Sequence, residues 1–133
     1  VKIAGNDSSP VYVKELAITG GASSANVFAS LLNPAGVELM ITRAWLRITT
    51  ASTGASTLDI GPAADATTAN DTLLDGLSAA ATGIFDSQND TDNGTNGSAK
   101  PLVWAAGGYV TVKEASGDVA GLVATLYVQY TYT

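Results

Sequence analysis

The sequence predicts an all-β protein, a β-sandwich of jelly-roll type with about eight strands. Three observations carry this. The first is the run Ala120–Thr133. Leu122, Ala124, Leu126, Val128, Tyr130 and Tyr132 share one parity, and Val123, Thr125, Tyr127, Gln129, Thr131 and Thr133 the other. A period of two through β-branched and aromatic residues marks a half-buried strand. The second is turn chemistry that recurs at short intervals along the chain. The third is the lack of any long helical period.

The elements follow in order. Val1–Gly5 is short and apolar, carries no signal-peptide pattern, and leads into Asn6-Asp7-Ser8-Ser9-Pro10. Residues 1–10 read as an arm and a turn, because Pro10 disfavours helix at Ser9. Residues 11–133 read as a single sandwich domain. Val11–Thr19 is a strand whose apolar parity changes between Val11/Val13 and Leu16/Ile18. Gly20–Ser24 is a loop, and Asn26–Leu32 a short strand. Asn33-Pro34-Ala35-Gly36 has the residues of a type I turn. It predicts a hairpin joining Asn26–Leu32 to Val37–Thr50. Within Val37–Thr50, Val37, Leu39 and Ile41 share one parity while Ala44, Leu46 and Ile48 share the other. The phase slips near Thr42–Arg43, so the strand carries a β-bulge there or passes from one sheet to another.

Thr57–Gly61 is a strand, Pro62–Asp71 a loop, and Thr72–Leu77 and Gly83–Phe85 are short strands. Asp86–Ala99 is the polar minimum and reads as an exposed loop. Pro101–Trp104 is a strand. Gly108–Lys113 and Ala120–Thr133 are predicted to pair as a second hairpin, with Ala120–Thr133 central in its sheet.

Composition narrows the function. Of 133 residues, 46% are hydrophobic, mostly small aliphatics, and only 14% are charged. With no His and no Cys, metal sites built from nitrogen and sulfur, thiol chemistry and Ser–His triads are excluded. The net charge of −6 is concentrated after residue 66. No basic patch exists to displace counterions from nucleic acid, and an anionic membrane would repel the acidic half. No apolar run approaches the ~20 residues of a membrane span.

Several side-chain groups are candidate sites. Asp86, Asp90 and Asp92 suggest a loose calcium loop, but the spacing does not match an EF-hand, and a solvated loop is the simpler reading. Asn6, Asn70, Asn89, Asn93 and Asn96 begin Asn-x-Ser/Thr triplets, which chance explains in a chain this rich in Asn, Ser and Thr. Asn93-Gly94 and Asn96-Gly97 are deamidation-prone pairs. Asp59, Asp65, Asp71 and Asp75 are the only clustered acids for carboxylate chemistry, and nothing in their spacing sets two across a cleft. The sequence therefore predicts no enzyme, no cofactor and no metal. Arg43 and Arg47 flank Trp45 on one strand face, which suits a protein interface or an ordinary half-exposed strand face equally, and a carboxylate or sugar contact less well. Trp104 precedes small residues and reads as core or as a sugar platform.

From Asn33 onward the sequence resembles small virion proteins of tailed bacteriophages, of the kind that decorate or cement capsids. The motifs are Asn33-Pro34-x-Gly36, Arg43-Ala44-Trp45-Leu46-Arg47-Ile48-Thr49, Thr57-Leu58-Asp59-Ile60-Gly61, Ala63-Ala64-Asp65-Ala66-Thr67-Thr68, Asp71-x-Leu73-Leu74-Asp75-Gly76-Leu77, Gly83-Ile84-Phe85-Asp86 and Ala115-Ser116-Gly117-Asp118-x-Ala120-Gly121-Leu122-Val123. The resemblance implies a homotrimer on the outer surface of a virion head, bound to the major capsid protein. Val1, Lys2 and Ile3 of the arm, with Arg43, Trp45 and Arg47, are the expected contacts with capsid or neighbouring copies. A carbohydrate-binding module of a phage fibre or secreted protein, using Trp45 or Trp104, is the alternative.

Overall fold

The computed structural model describes residues 10–21 and 26–133. Among them are nine strands and one helical turn. The strands are β1 (Tyr12–Thr19), β2 (Val27–Leu32), β3 (Leu39–Thr50), β4 (Ser56–Ala63), β5 (Leu74–Ser78), β6 (Gly83–Asp86), β7 (Leu102–Trp104), β8 (Tyr109–Gly117) and β9 (Val123–Tyr132). The helical turn, α1, is Asp90–Asn93.

All strand pairs are antiparallel. The larger sheet has five strands in the order β1-β9-β3-β6, with β7 also on β3, and the smaller has the order β2-β8-β4-β5. β6 lies opposite Trp45–Ile48 and β7 opposite Leu39–Ile41, so the two share one edge of β3 and fill one strand position. Eight positions in this order, with successive strands crossing between sheets, make a jelly roll.

One hydrophobic core lies between the sheets. Parity builds it. Leu39, Ile41, Ala44, Leu46 and Ile48 of β3 and Ala124, Leu126, Val128 and Tyr130 of β9 are buried. They meet Leu58 and Ile60 of β4, Val110 and Val112 of β8, and Leu74 and Leu77 of β5. Each large aliphatic side chain taken out of water contributes roughly 1.5–3 kcal/mol, which offsets the ordering of small, stiff residues.

The parity slip in β3 is a bulge, not a change of sheet. Its register against β9 shifts between Ile41 and Arg43, leaving Thr42 as the extra residue. The bulge keeps Leu39 and Ile41 on the inner face together with Ala44, Leu46 and Ile48. It also turns Arg43, Trp45 and Arg47 outward. The parity change in β1 has another cause. Its pairing with β9 is regular, and Val11 and Val13 are simply exposed.

Both expected hairpins are corrected. β2 pairs with β8, and β3 lies in the other sheet, so residues 33–36 carry the chain across the sandwich. β9 is flanked by β1 and β3 and is central as expected, but it does not pair with β8. In a jelly roll most tight connections pass between sheets. Here β4–β5 is the consecutive pair that hydrogen-bonds as a hairpin. Asn33 shows how the crossing is held. Its side-chain amide donates to Val37 O (2.9 Å), Trp104 O (3.1 Å) and Ala105 O (3.0 Å), and its Oδ1 accepts from Ala35 N (2.9 Å). The arm, residues 1–9, and part of the Gly20–Ser24 loop lie outside the described residues.

Candidate functional site

The two outer faces of the sandwich differ. The β4–β5 connection folds over the smaller sheet, where Thr111 is fully buried and its Oγ1 donates to Thr68 O at 2.8 Å. Among the described residues no segment covers the larger sheet in this way.

Register places side chains in rows across that uncovered face. Glu15, Tyr127, Trp45 and Asp86 form the central row. Ala17, Thr125, Arg47 and Ile84 form the next on one side, and Val13, Gln129 and Arg43 on the other. Thr131, Met40 and Val103 follow beyond. Trp45 stacks on Tyr127 with ring centroids 5.4 Å apart and planes 12° from parallel. The Arg43 guanidinium carbon sits 5.4 Å from the Trp45 ring centroid, within cation–π range. Arg43 is also fixed by Asp86: its Nε donates to Oδ2 (2.9 Å) and Oδ1 (3.2 Å), and its Nη2 forms an ion pair with Oδ2. This hydrogen bonding holds the Asp86 carboxyl below the usual carboxylate range, helped by Gln88 N and opposed by partial burial. Val13, Val103, Val123 and Ile84 are exposed on the same face, Ile84 to 67%.

The structure therefore brings Arg43, Trp45 and Arg47 together on one face. Val1, Lys2 and Ile3 lie outside the described residues. Sequence reasoning missed Tyr127 and Asp86 as partners of this group. The parity of the last strand put Tyr127 on an outer face, but register against β3 was needed to set it beside Trp45. Trp104 is corrected as a sugar platform: it is 0% exposed, packs edge-on against Tyr130, and is core. Its indole N–H has no hydrogen-bond partner among the described residues.

The Asp86–Ala99 segment is not uniformly exposed. Ser87 and Asn93 are buried, and α1 is capped by Asn89, whose Oδ1 accepts from Thr91 N at 2.9 Å. Among the described residues the carboxylates of Asp86, Asp90 and Asp92 do not converge on one point. Asp86 is engaged by Arg43, and Asp92 Oδ2 accepts from Asp86 N at 3.0 Å. The Asn-x-Ser/Thr triplets serve structure as well. Asn93 Nδ2 donates to Ser87 O (3.0 Å), and Asn70 Oδ1 accepts from Thr72 N (2.9 Å). Gly94, at φ 76°, closes the turn after α1 against the Asp75 carbonyl, where a Cβ would collide with backbone.

Of the four clustered acids, three converge. Among the described residues, oxygens of Asp59, Asp71 and Asp75 lie within 4.8 Å of one another, each residue half-buried. Hydrogen bonds meet their charge: Gly76 N to Asp59 Oδ1 (2.9 Å), Asn96 N to Asp75 Oδ2 (2.9 Å) and Asn96 Nδ2 to Asp71 Oδ2 (3.0 Å). Lys113 borders the same depression. Desolvation, then the charges of Asp75 and Asp71, raise the Asp59 pKa against the lowering by Gly76 N and Lys113. Such a trio offers oxygen ligands or a shared proton. Asp65 stands apart, its Oδ1 accepting from Thr67 N and Thr68 N (both 2.9 Å) in its own turn.

No protein-family model matches this chain, and no curated protein matches it in sequence.

Proposed function

We propose that this chain is a structural virion protein that binds the outer surface of a phage head and stabilises the shell. The observation that carries the reading is the outer face of the larger sheet, which no described segment covers. A rigid Trp45–Tyr127 stack, fixed by Arg43 and bordered by exposed aliphatic side chains, has the composition of a protein–protein contact. The low charge of the chain and its resemblance to decoration proteins support the same reading. Stabilisation then follows from mass action: a protein that binds the assembled shell better than free subunits adds its binding free energy at every site.

The docking contacts we assign to Val1, Lys2 and Ile3. Pro10, the first described residue, has its carbonyl accepting from Thr131 Oγ1 at 3.0 Å near the end of β9. A short apolar arm that orders on binding covers surface on a partner at a small cost in residues. Deleting residues 1–8 tests this. The truncated chain is expected to fold and to lose binding to heads. Unchanged affinity would exclude the arm, and failure to fold would make it part of the sheet.

A further inference from the structure

We propose that the outer face of the larger sheet is a two-fold interface between two copies of this chain. A dimer formed through this face leaves docking on the shell to Val1, Lys2 and Ile3, so dimerisation and head binding are lost separately, the first by charge reversal on the face and the second by deletion of residues 1–8.

Charge carries the argument. β1 presents Glu15 on this face, and β3 presents Arg43 and Arg47, with β9 between them. The outward residues of β9 are Val123, Thr125, Tyr127, Gln129 and Thr131, none of them charged. Arg43 is neutralised by Asp86. The side chains of Glu15 and Arg47 make no hydrogen bond or ion pair among the described residues. A two-fold axis parallel to β9 lays β1 of one copy over β3 of the other. Glu15 of each copy then falls over the Trp45 row of its neighbour, between Arg43 and Arg47, and every contact occurs twice. Facing sheets pack about 10 Å apart, a gap that Glu and Arg side chains bridge together. The face is therefore complementary to itself.

Area sets the strength of the contact. About this axis β1, β9 and β3 overlap, so three strand positions at about 4.8 Å and some nine residues at about 3.4 Å give a face of roughly 14 by 30 Å. That is on the order of 430 Å² per copy and about 860 Å² in all, in the range of weak, transient contacts. Its centre is the Trp45–Tyr127 stack, and Val13 and Val123 border it. An interface of this size associates weakly, so the dimer depends on protein concentration.

The test is sedimentation equilibrium of the full chain over a wide concentration range, with charge reversals. We expect a monomer–dimer equilibrium. Glu15→Arg and Arg47→Glu should each weaken it at least about tenfold, and the double variant should recover most of the loss, because the reversed charges meet again across the axis. Lys113→Glu, on the other sheet, serves as the control and should leave it unchanged. Circular dichroism confirms that each variant folds. A monomer at every concentration, a trimer, or a dimer indifferent to these reversals would overturn the proposal. So would a double variant no better than the singles.

Discussion

Replacing Asn33 should be among the most damaging single changes outside the apolar core. The residue is 4% exposed, and its one amide group ties the β2–β3 crossing to the end of β7. In Asn33→Ala, Val37 O and Ala35 N lose a partner near solvent, at about 1 kcal/mol or less each. Trp104 O loses a buried donor, at about 1–3 kcal/mol. Ala105 O keeps the bond from Gly108 N at 2.9 Å, so its loss is small. The total is about 3 kcal/mol. For a chain of 133 residues the unfolding entropy is roughly 0.3 kcal/mol per kelvin, which converts this to a fall in Tm of about 10 °C. Asn33→Asp is the sharper perturbation. It keeps shape and the acceptor for Ala35 N, yet sets a carboxylate against three carbonyl oxygens. It should cost at least as much as Ala at neutral pH and recover partly as acid protonates it. Urea unfolding followed by tryptophan fluorescence, with Trp104 as the buried reporter, measures both. A cost below about 1 kcal/mol for Ala, or an Asp variant more stable than Ala, would refute the reasoning.

Other perturbations probe separate parts of the fold. Deleting Thr42 removes the bulge but leaves Ile41 opposite Tyr130 and Arg43 opposite Gln129 as successive rungs, so Arg43, Trp45 and Arg47 stay outward and a single cooperative unfolding transition should remain by calorimetry. Asp59 has a raised folded pKa, so its favourable contribution is complete below the unfolded carboxyl value and is lost as pH rises through the folded one. Asp59→Asn keeps an acceptor for Gly76 N and should raise stability at neutral pH by less than about 1 kcal/mol in urea titration, while removing that pH dependence. Asp86 has the opposite sign. Its folded pKa is depressed, so its contribution is present above the unfolded value and is lost as pH falls through the folded one. Because the pair is largely exposed, Arg43→Ala should cost no more than about 1 kcal/mol, and only above that acid range.

Much of the fold was legible because parity is a local property. The slip between Ile41 and Ala44 located the bulge, and the alternation through Leu122–Tyr130 picked out the inner face of β9. The hairpins were not legible. Turn residues such as Asn33-Pro34 set where the chain reverses, but not which sheet receives the next strand. That choice depends on where the apolar faces close over the core. The site was half legible for the same reason. Arg43, Trp45 and Arg47 share an outer face by parity alone. Their partners Asp86 and Tyr127 are distant in sequence and meet them only through register with β6 and β9. Asp59, Asp71 and Asp75 were recognisable as a group of acids. Their convergence needed the β4–β5 pairing, with the loop after α1 placing Asn96 against them.

The most direct measurement is cosedimentation of the purified chain with tailed-phage heads assembled from purified major capsid protein. Saturable binding at a fixed ratio is expected, with heads that disrupt at higher temperature when the chain is bound. A folded, full-length chain that stays in the supernatant and leaves head stability unchanged would contradict the assignment.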